Sequence, residues 1–243
     1  MILEFDIGNS ALKWRLLDES ARVVERGLVP AGDGLDGIPV SVAVDRVRLA
    51  SVADAQVTDA IAAQVKARWG RVAEVASTGR ECAGLKNSYR EPARMGVDRW
   101  LAMLAAYHRY RRAVLVVDAG TALTLDFVDD SGQHAGGYIL PGQQLTQRSL
   151  LTETRRVRFS EPGEAELAPG CSTAAAVRNG ALLALVASAD YAARQARQRW
   201  GDDFALVITG GDGALLANGL ADSGQASQLV PDLVFDGLAI ALP

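Results

Sequence analysis

Short apolar runs alternate with amphipathic stretches along the chain, and this pattern predicts a mixed α/β fold. Besides two hairpins described below, apolar runs predict strands over residues 44–52, 72–76 and 204–208. Apolar residues at helical spacing predict helices over residues 54–69, 98–110 and 174–200. Gly70 is expected to end the first helix, and the third helix is expected to break near Gly180.

Two segments of the chain resemble each other at half-chain spacing. Residues 2–10 and 114–122 both pass from an apolar run through Asp and Gly to a polar residue, and a second strand-like run follows each. Asp118 lies 112 residues after Asp6, close to half of the 243 residues. We therefore predict two duplicated domains, 1–112 and 113–243, each opening with a strand–turn–strand hairpin. Two unrelated Asp-x-Gly turns are the alternative.

Composition narrows the class of protein. Hydrophobic residues make up 49% of the chain and charged residues 22%, a globular balance that argues against disorder, collagen and coiled coil. A net charge of -4 without a basic block makes a nucleic-acid partner unexpected. Cys82 and Cys171 form no CxxC pair, which excludes a zinc knuckle and suits a reducing cytoplasm. The N-terminus lacks signal-peptide features and no run of 18 apolar residues occurs, so we expect a cytoplasmic protein without a membrane partner.

The two Asp-x-Gly turns are the first candidate sites. Amides in a glycine-containing turn bind phosphate, and Gly8 permits close approach of an anion. Lys13 is placed to pair with a phosphate, whereas Asp6 would repel one and is expected to hold a metal ion or its waters. The second turn is expected to bind phosphate in the same way, with Asp118 in the place of Asp6 and Thr121 as a hydroxyl donor. An ordinary hairpin turn is the alternative.

Other motifs add weaker signals. The glycines of residues 209–213 would let a flat group such as adenine approach a strand end, and Gly136 and Gly137 would let a substrate pass close to a strand. The motif at residues 209–213 is neither GxGxxG nor GxxxxGK[ST], so it does not support a dinucleotide fold, and a Walker-type kinase is disfavoured. Asp98, at the start of a predicted helix, is either a base for a substrate hydroxyl or a helix N-cap, and Arg99 suits a carboxylate.

Taken together, the motifs resemble type III pantothenate kinase, a family in the superfamily of actin, sugar kinases and acetate kinase. They are DIGNS (6–10), NSY (87–89), GVDRW (96–100), DAGTA (118–122), GGYILPG (136–142) and TGGDG (209–213), and residues 170–180 resemble a further family segment. The similarity extends from residue 2 to about residue 237. It implies two ribonuclease H-like (actin-like ATPase) domains with a nucleotide cleft between them.

The resemblance also implies an activity, which is transfer of the γ-phosphoryl group of ATP to pantothenate at the start of coenzyme A synthesis. Asp98 matches the catalytic base, and Arg99 matches the ligand of the pantothenate carboxylate. The other matched substrate contacts are Tyr89, Gly96, Val97 and Thr173. The matched ATP contacts are Asp6, Ile7, Gly8, Asn9, Ser10, Ala11, Leu12, Lys13 and Thr121. Asp6 is expected to hold Mg²⁺ through water, and Asp118 a monovalent cation, K⁺ or NH₄⁺.

A homodimer with pantothenate near the subunit interface is a further implication. The helix over residues 98–110 supports a dimer, because its apolar face is wide and only part of it is expected to cover the domain's own sheet. The rest of the face would be exposed without a partner. The face comprises Trp100, Leu101, Met103, Leu104 and Tyr107. Packing of both sides inside one subunit is the alternative.

The sequence also departs from the family at several positions. Ser10 stands where Thr is common, and Cys171-Ser172 stands where Arg-Asn is frequent. His108 is expected on a helix surface and His134 in a loop. A regulatory protein on the same scaffold and a phosphohydrolase of the superfamily are the alternatives to a kinase.

Overall fold

A computed structural model describes residues 1–30, 33–38, 41, 43–159 and 161–243. The strands are β1 (Ile2–Ile7), β2 (Ala11–Leu17), β3 (Val23–Pro30), β4 (Arg46–Ser51), β5 (Ala73–Val75), β6 (Glu81–Cys82), β7 (Leu85–Lys86), β8 (Ala113–Ala119), β9 (Ala122–Val128), β10 (His134–Pro141), β11 (Phe204–Thr209) and β12 (Gln228–Leu229). The helices are α1 (Ala55–Trp69), α2 (Val97–Tyr110), α3 (Gln143–Glu153), α4 (Thr173–Trp200), α5 (Gly213–Asp222) and α6 (Leu233–Ala241), and a 3₁₀ turn covers Pro92–Arg94.

Two five-stranded sheets share one strand order. The first sheet runs β3-β2-β1-β4-β5 and the second runs β10-β9-β8-β11-β12. In each, the strand that carries the Asp-x-Gly motif pairs antiparallel with the strand that follows it in the chain and parallel with a later strand. The repeat seen in the sequence is therefore a repeat of architecture, and the predicted duplication is confirmed.

The chain forms two compact units that interleave along the sequence. Unit 1 comprises Met1–Ala83, Tyr89–Ala105 and Leu233–Pro243, and unit 2 comprises Gly84–Ser88 and Ala106–Asp232. The C-terminal helix α6 thus belongs with the N-terminal sheet. The division at residues 112 and 113 stays a prediction about the duplicated halves of the sequence.

The two faces of β1 have opposite character, because successive side chains of a strand point to opposite sides of the sheet. Leu3, Phe5 and Ile7 lie in a core that includes Ile61 and Val65 of α1. That helix ends at a glycine in the left-handed conformation (φ 67°), as predicted.

The other face of β1 is charged at its centre. Glu4 is fully buried, and its two carboxylate oxygens accept hydrogen bonds from Arg15 Nε at 2.6 Å and from an Arg48 terminal nitrogen at 3.1 Å. Arg15 also donates to Asp236 of α6 at 3.1 Å. These partners flank Glu4 in register on β2 and β4, so the buried charge is compensated. Asp6 continues the same face toward the end of the strand.

Helix α2 is enclosed along most of its length. Residues 100–106 are at most 3% exposed, so the predicted exposed apolar face is wrong and both sides of the helix pack within one chain. A Cβ on Gly237 of α6 would lie 2.0 Å from the Leu101 carbonyl oxygen, which shows how closely the two helices cross. His108, near the end of α2, is exposed as expected.

Helix α4 runs unbroken, and the predicted break near Gly180 is wrong. A glycine inside a helix costs about 1 kcal/mol relative to alanine. The buried face of α4, which includes Leu182, Leu185 and Val186, offsets that cost. Ser172 caps the helix by accepting a hydrogen bond from the Ala175 amide at 3.1 Å. Within the ranges given above, no helix has the length and apolar character needed to cross a membrane.

Candidate functional site

The β1–β2 hairpin presents a two-residue tip. The Gly8 amide donates to the Ala11 carbonyl oxygen at 3.0 Å, and Asn9 and Ser10 at the tip are exposed. The backbone of Gly8 is not left-handed, but a Cβ there would lie 3.3 Å from the Ala11 oxygen. The glycine is therefore favoured by close packing of the turn rather than by a positive φ.

Asp6, Lys13 and Asp98 form a charged group in unit 1. Asp6 lies directly across from Lys13 in the β1–β2 register. Burial raises the pKa of Asp6 from 3.8 to about 6; the positive charge of Lys13 lowers it, and the negative charge of Asp98 raises it further. Two carboxylates and one amine therefore influence one another at the end of β1.

Asp98 is held at the start of α2. The Gly96 carbonyl oxygen accepts from the Trp100 amide at 3.1 Å, and the first helical residue is Val97, which is buried. Asp98 is thus the second helical residue and not the N-cap, and its Oδ1 accepts from the Arg99 amide at 2.7 Å. A Cβ on Gly96 would lie 2.5 Å from that oxygen, so the glycine leaves the space that the carboxylate occupies.

Arg99 is paired with Tyr89. The guanidinium is part of a side chain only 6% exposed; it donates to the Tyr89 hydroxyl at 2.9 Å, and its Cζ lies 5.8 Å from the centre of the ring. Tyr89 also lines an open surface hollow of about 600 Å³ with Arg90, Glu91 and Arg94. The predicted substrate contacts of unit 1 are therefore brought together around the start of α2.

The second turn places Asp118 against a glycine. Thr209 of β11 lies beside Asp118 in register. A Cβ on Gly210 would lie 2.4 Å from both the Asp118 Oδ1 and the Ala119 carbonyl oxygen, and Gly210 has a φ of +92°. Both the backbone conformation and the close approach require glycine here. The Asp118 carboxylate and the Ala119 carbonyl group therefore place two oxygen atoms, the ligand type that hard cations prefer, close to the Gly210 backbone.

The tip of this second hairpin is one residue shorter than the first. The Gly120 amide donates to the Ala122 carbonyl oxygen at 3.0 Å, and Thr121 is exposed. Gly142 supports the turn from β10, because its amide donates to the Thr121 carbonyl oxygen at 3.0 Å. Gly136 has a φ of +105° at an irregularity in β10, which accounts for that glycine without a substrate.

The remaining predicted contacts are less clustered. Thr173 is exposed at the first position of α4, in unit 2. Among the residues with described coordinates, no three or more His, Cys, Asp or Glu side chains are grouped to hold a metal ion. Asp6 and Asp118 would each contribute a single carboxylate to an ion.

Two polar residues stand out that the sequence interpretation missed. His134 was expected in a loop, but it begins β10, is 1% exposed and lies between Ser88 and Asp126. Asp212 precedes α5 without capping it through its carboxylate, and burial raises its pKa. The strand pattern around His134 was masked by the glycines at 136 and 137, which hid the start of β10.

Comparisons with known proteins agree on one family. The sequence profile of a family described as type III pantothenate kinase matches residues 2–195. Proteins with that name from Pseudomonas putida and Ectopseudomonas mendocina are 41% and 42% identical, each over 100% of this chain and 99% of the relative. A glucokinase of the ROK family from Streptomyces griseus, solved with glucose and AMPPNP, is 14% identical with a TM-score of 0.53, covering 98% of this chain and 97% of that one. This last likeness shows the duplicated actin-like fold alone.

Proposed function

The chain belongs to the type III pantothenate kinase family, and we propose that it transfers the γ-phosphoryl group of ATP to the primary hydroxyl of pantothenate. The observation that carries this proposal is the group formed by Asp6, Asp98 and Arg99 in a chain that matches the family throughout. A regulatory scaffold and a phosphohydrolase are not favoured, because the groups that a kinase of this family needs, Asp98, Arg99 and both Asp-x-Gly turns, are all present.

Asp98 acts as the general base. Its carboxylate sits in the first turn of α2, where the helix dipole favours negative charge. The hydrogen bond from the Arg99 amide fixes one oxygen, which orients the group toward a hydroxyl. Phosphoryl transfer depends mainly on positioning and charge, so Asp98 aligns the acceptor as well as receiving its proton.

Arg99 binds the pantothenate carboxylate. A guanidinium meets a carboxylate with two parallel hydrogen bonds, which a lysine cannot reproduce. The Tyr89 hydroxyl and ring hold the guanidinium in one orientation before the substrate arrives. Gly96 and Val97 supply backbone close to the same ligand, and Thr173 is a further substrate contact.

The first turn binds the ATP phosphates. The exposed tip of Asn9 and Ser10 and the Lys13 amine are suited to anions. Thr121, exposed at the tip of the other hairpin, is a second nucleotide contact.

Two ions complete the proposal. Asp6 fits Mg²⁺, because its desolvated carboxylate has a pKa of about 6 and is mostly ionised at neutral pH. Bound Mg²⁺ would neutralise charge on the β- and γ-phosphates. Asp118 and the Ala119 carbonyl oxygen, which lie close together beside Gly210, are the proposed ligands of a monovalent cation, K⁺ or NH₄⁺.

The active form is a homodimer built on unit 2. Apolar side chains are exposed on three adjacent elements, since α3 packs against both β10 and α4. These side chains are Tyr138 on β10, Leu145 and Leu150 on α3, and Leu183 on α4. A surface of this kind marks an interaction site, and an isologous contact is the usual geometry of a homodimer. The two unpaired cysteines fit the cytoplasm as the compartment.

A coupled assay of ADP release with and without pantothenate tests the activity. The parent protein should consume ATP only when pantothenate is present, whereas a phosphohydrolase would consume it without pantothenate and a regulatory protein not at all. Asp98→Asn should lower kcat about 10²–10⁴-fold while ATP still binds. Asp54→Asn, an exposed carboxylate before α1, is the matched control and should leave kcat unchanged. An unchanged kcat in Asp98→Asn would show that Asp98 serves only the helix.

A further inference from the structure

Three polar side chains of unit 2 form a hydrogen-bonded chain that the proposed reaction does not use. His134 Nδ1 lies 2.8 Å from Ser88 Oγ, and His134 Nε2 lies 3.1 Å from Asp126 Oδ1. His134 and Asp126 are each 1% exposed, whereas Ser88 is exposed. Because a carboxylate accepts hydrogen bonds, Nε2 carries a proton and donates to Asp126. In the neutral ring, Nδ1 then accepts a hydrogen bond from the Ser88 hydroxyl.

The hydrogen-bonded side chains lie at the end of a short segment, residues 84–88, whose backbone pairs with the β9–β10 turn. The Lys86 amide donates to the Gly132 carbonyl oxygen at 2.8 Å, and Lys86 forms a parallel bridge with Gln133. Two residues further along the same segment, the Ser88 hydroxyl contacts the ring of His134, which follows Gln133 in the chain. Ser88 is the last residue of this segment in unit 2.

The residue that follows is Tyr89, whose hydroxyl accepts a hydrogen bond from Arg99. We infer that the Ser88–His134–Asp126 chain positions Tyr89, and through it the Arg99 guanidinium that binds the pantothenate carboxylate. This inference rests on the proposed roles of Tyr89 and Arg99. An imidazole held at both nitrogens, one of them by a buried carboxylate, keeps a single orientation and gives the exposed serine a fixed anchor.

The same three residue types form the catalytic triad of serine hydrolases, but there the imidazole nitrogens face the opposite partners. In a triad Nε2 faces the serine and Nδ1 faces the carboxylate. Here Nδ1 faces Ser88 and Nε2 faces Asp126. Ser88, His134 and Asp126 are therefore positioning residues, not a nucleophile with its base.

Removal of a single hydroxyl tests the inference. Ser88→Ala should raise the KM for pantothenate about fivefold, the effect of one lost hydrogen bond, and leave kcat and the KM for ATP unchanged. Ser88→Thr keeps the hydroxyl and should restore the parent KM. Ser223→Ala is the matched control, because the exposed Ser223 hydroxyl donates to the Gly219 carbonyl oxygen of α5, away from this segment in the sequence. A Ser88→Ala enzyme with the parent KM, or with equal increases in both KM values, would overturn the inference.

A second pair of measurements separates this inference from the proposed site. Tyr89→Phe should raise the KM for pantothenate; if it does and Ser88→Ala does not, the positioning role is wrong and the site stands. If Tyr89→Phe leaves the KM unchanged, the proposed role of Tyr89 is wrong. Hydrogen exchange of residues 85–90 without substrates then tests anchoring by itself. Faster exchange in Ser88→Ala than in Ser223→Ala supports the anchor, and equal exchange overturns it.

Discussion

Asp6→Asn should make the protein more stable and inactive at the same time. The folded state disfavours the Asp6 charge, because burial and the nearby Asp98 charge outweigh the attraction of Lys13 and raise the pKa from 3.8 to about 6. Asparagine keeps the shape of the side chain and removes the charge. If the Asp6 carboxylate holds the Mg²⁺ ion at the ATP phosphates, the substitution removes a group needed for turnover. It also removes a buried charge that destabilises the folded state.

The magnitude and its pH dependence follow from the shift. Below pH 3.8 the carboxyl group is protonated in both folded and unfolded chains, so Asp6 costs nothing relative to asparagine. As pH rises from 3.8 to about 6, the unfolded carboxyl ionises more readily than the folded one, and folding stability is lost. Above this window the full cost is about 3 kcal/mol, which is the largest gain expected for Asp6→Asn.

The assay is urea unfolding at a series of pH values from acid to neutral, with magnesium and nucleotide absent. The free energy of unfolding of Asp6→Asn should equal that of the parent at the acid end and exceed it increasingly toward neutral pH. Asp59→Asn, an exposed carboxylate on α1, serves as the control and should give little difference at any pH. A gain that does not vary with pH, or a loss of stability at neutral pH, would refute the argument from burial.

Three further predictions concern the other proposed groups. Arg99→Lys should raise the KM for pantothenate more than the KM for ATP, because the planar fork is lost and the charge is kept; equal increases would remove the carboxylate assignment. Asp118→Ala should flatten the dependence of kcat on KCl measured against choline chloride, while the parent response would contradict the cation site. Leu183→Glu should give monomers by light scattering, since it places a charge in the exposed apolar surface of unit 2. A dimeric Leu183→Glu, or an active monomeric parent, would reject that interface.

Local chemistry was enough to predict the elements that position the site. The two Asp-x-Gly turns, the end of α1 at Gly70 and the start of α2 next to Asp98 each depend on residues close in sequence. The repeat also predicted a repeated sheet, because similar hairpins begin both sheets in the same way. The roles of individual side chains at these turns remain proposals that the experiments above test.

Features that depend on distant residues were not predictable. The helix α2 was expected to expose an apolar face, but α6, which returns from the end of the chain, packs Gly237 against Leu101. Gly180 did not break α4, because the buried side chains of that helix outweigh its weak propensity there. The burial of His134 depends on Ser88 and Asp126, which lie on other segments. Tertiary packing decided each of these outcomes.

The duplicated scaffold places one carboxylate at equivalent positions and then gives it different neighbours. On the adjacent antiparallel strand, Asp6 faces Lys13, whereas Asp118 faces Thr124. An amine beside the first carboxylate adds positive charge at a turn with an exposed polar tip, which suits a phosphate and its counter-ion. A hydroxyl and a backbone carbonyl beside the second carboxylate add only oxygen, which suits a cation. The proposed division of roles, with a phosphate and its counter-ion at the first turn and a monovalent cation at the second, accords with this difference in the cross-strand partner.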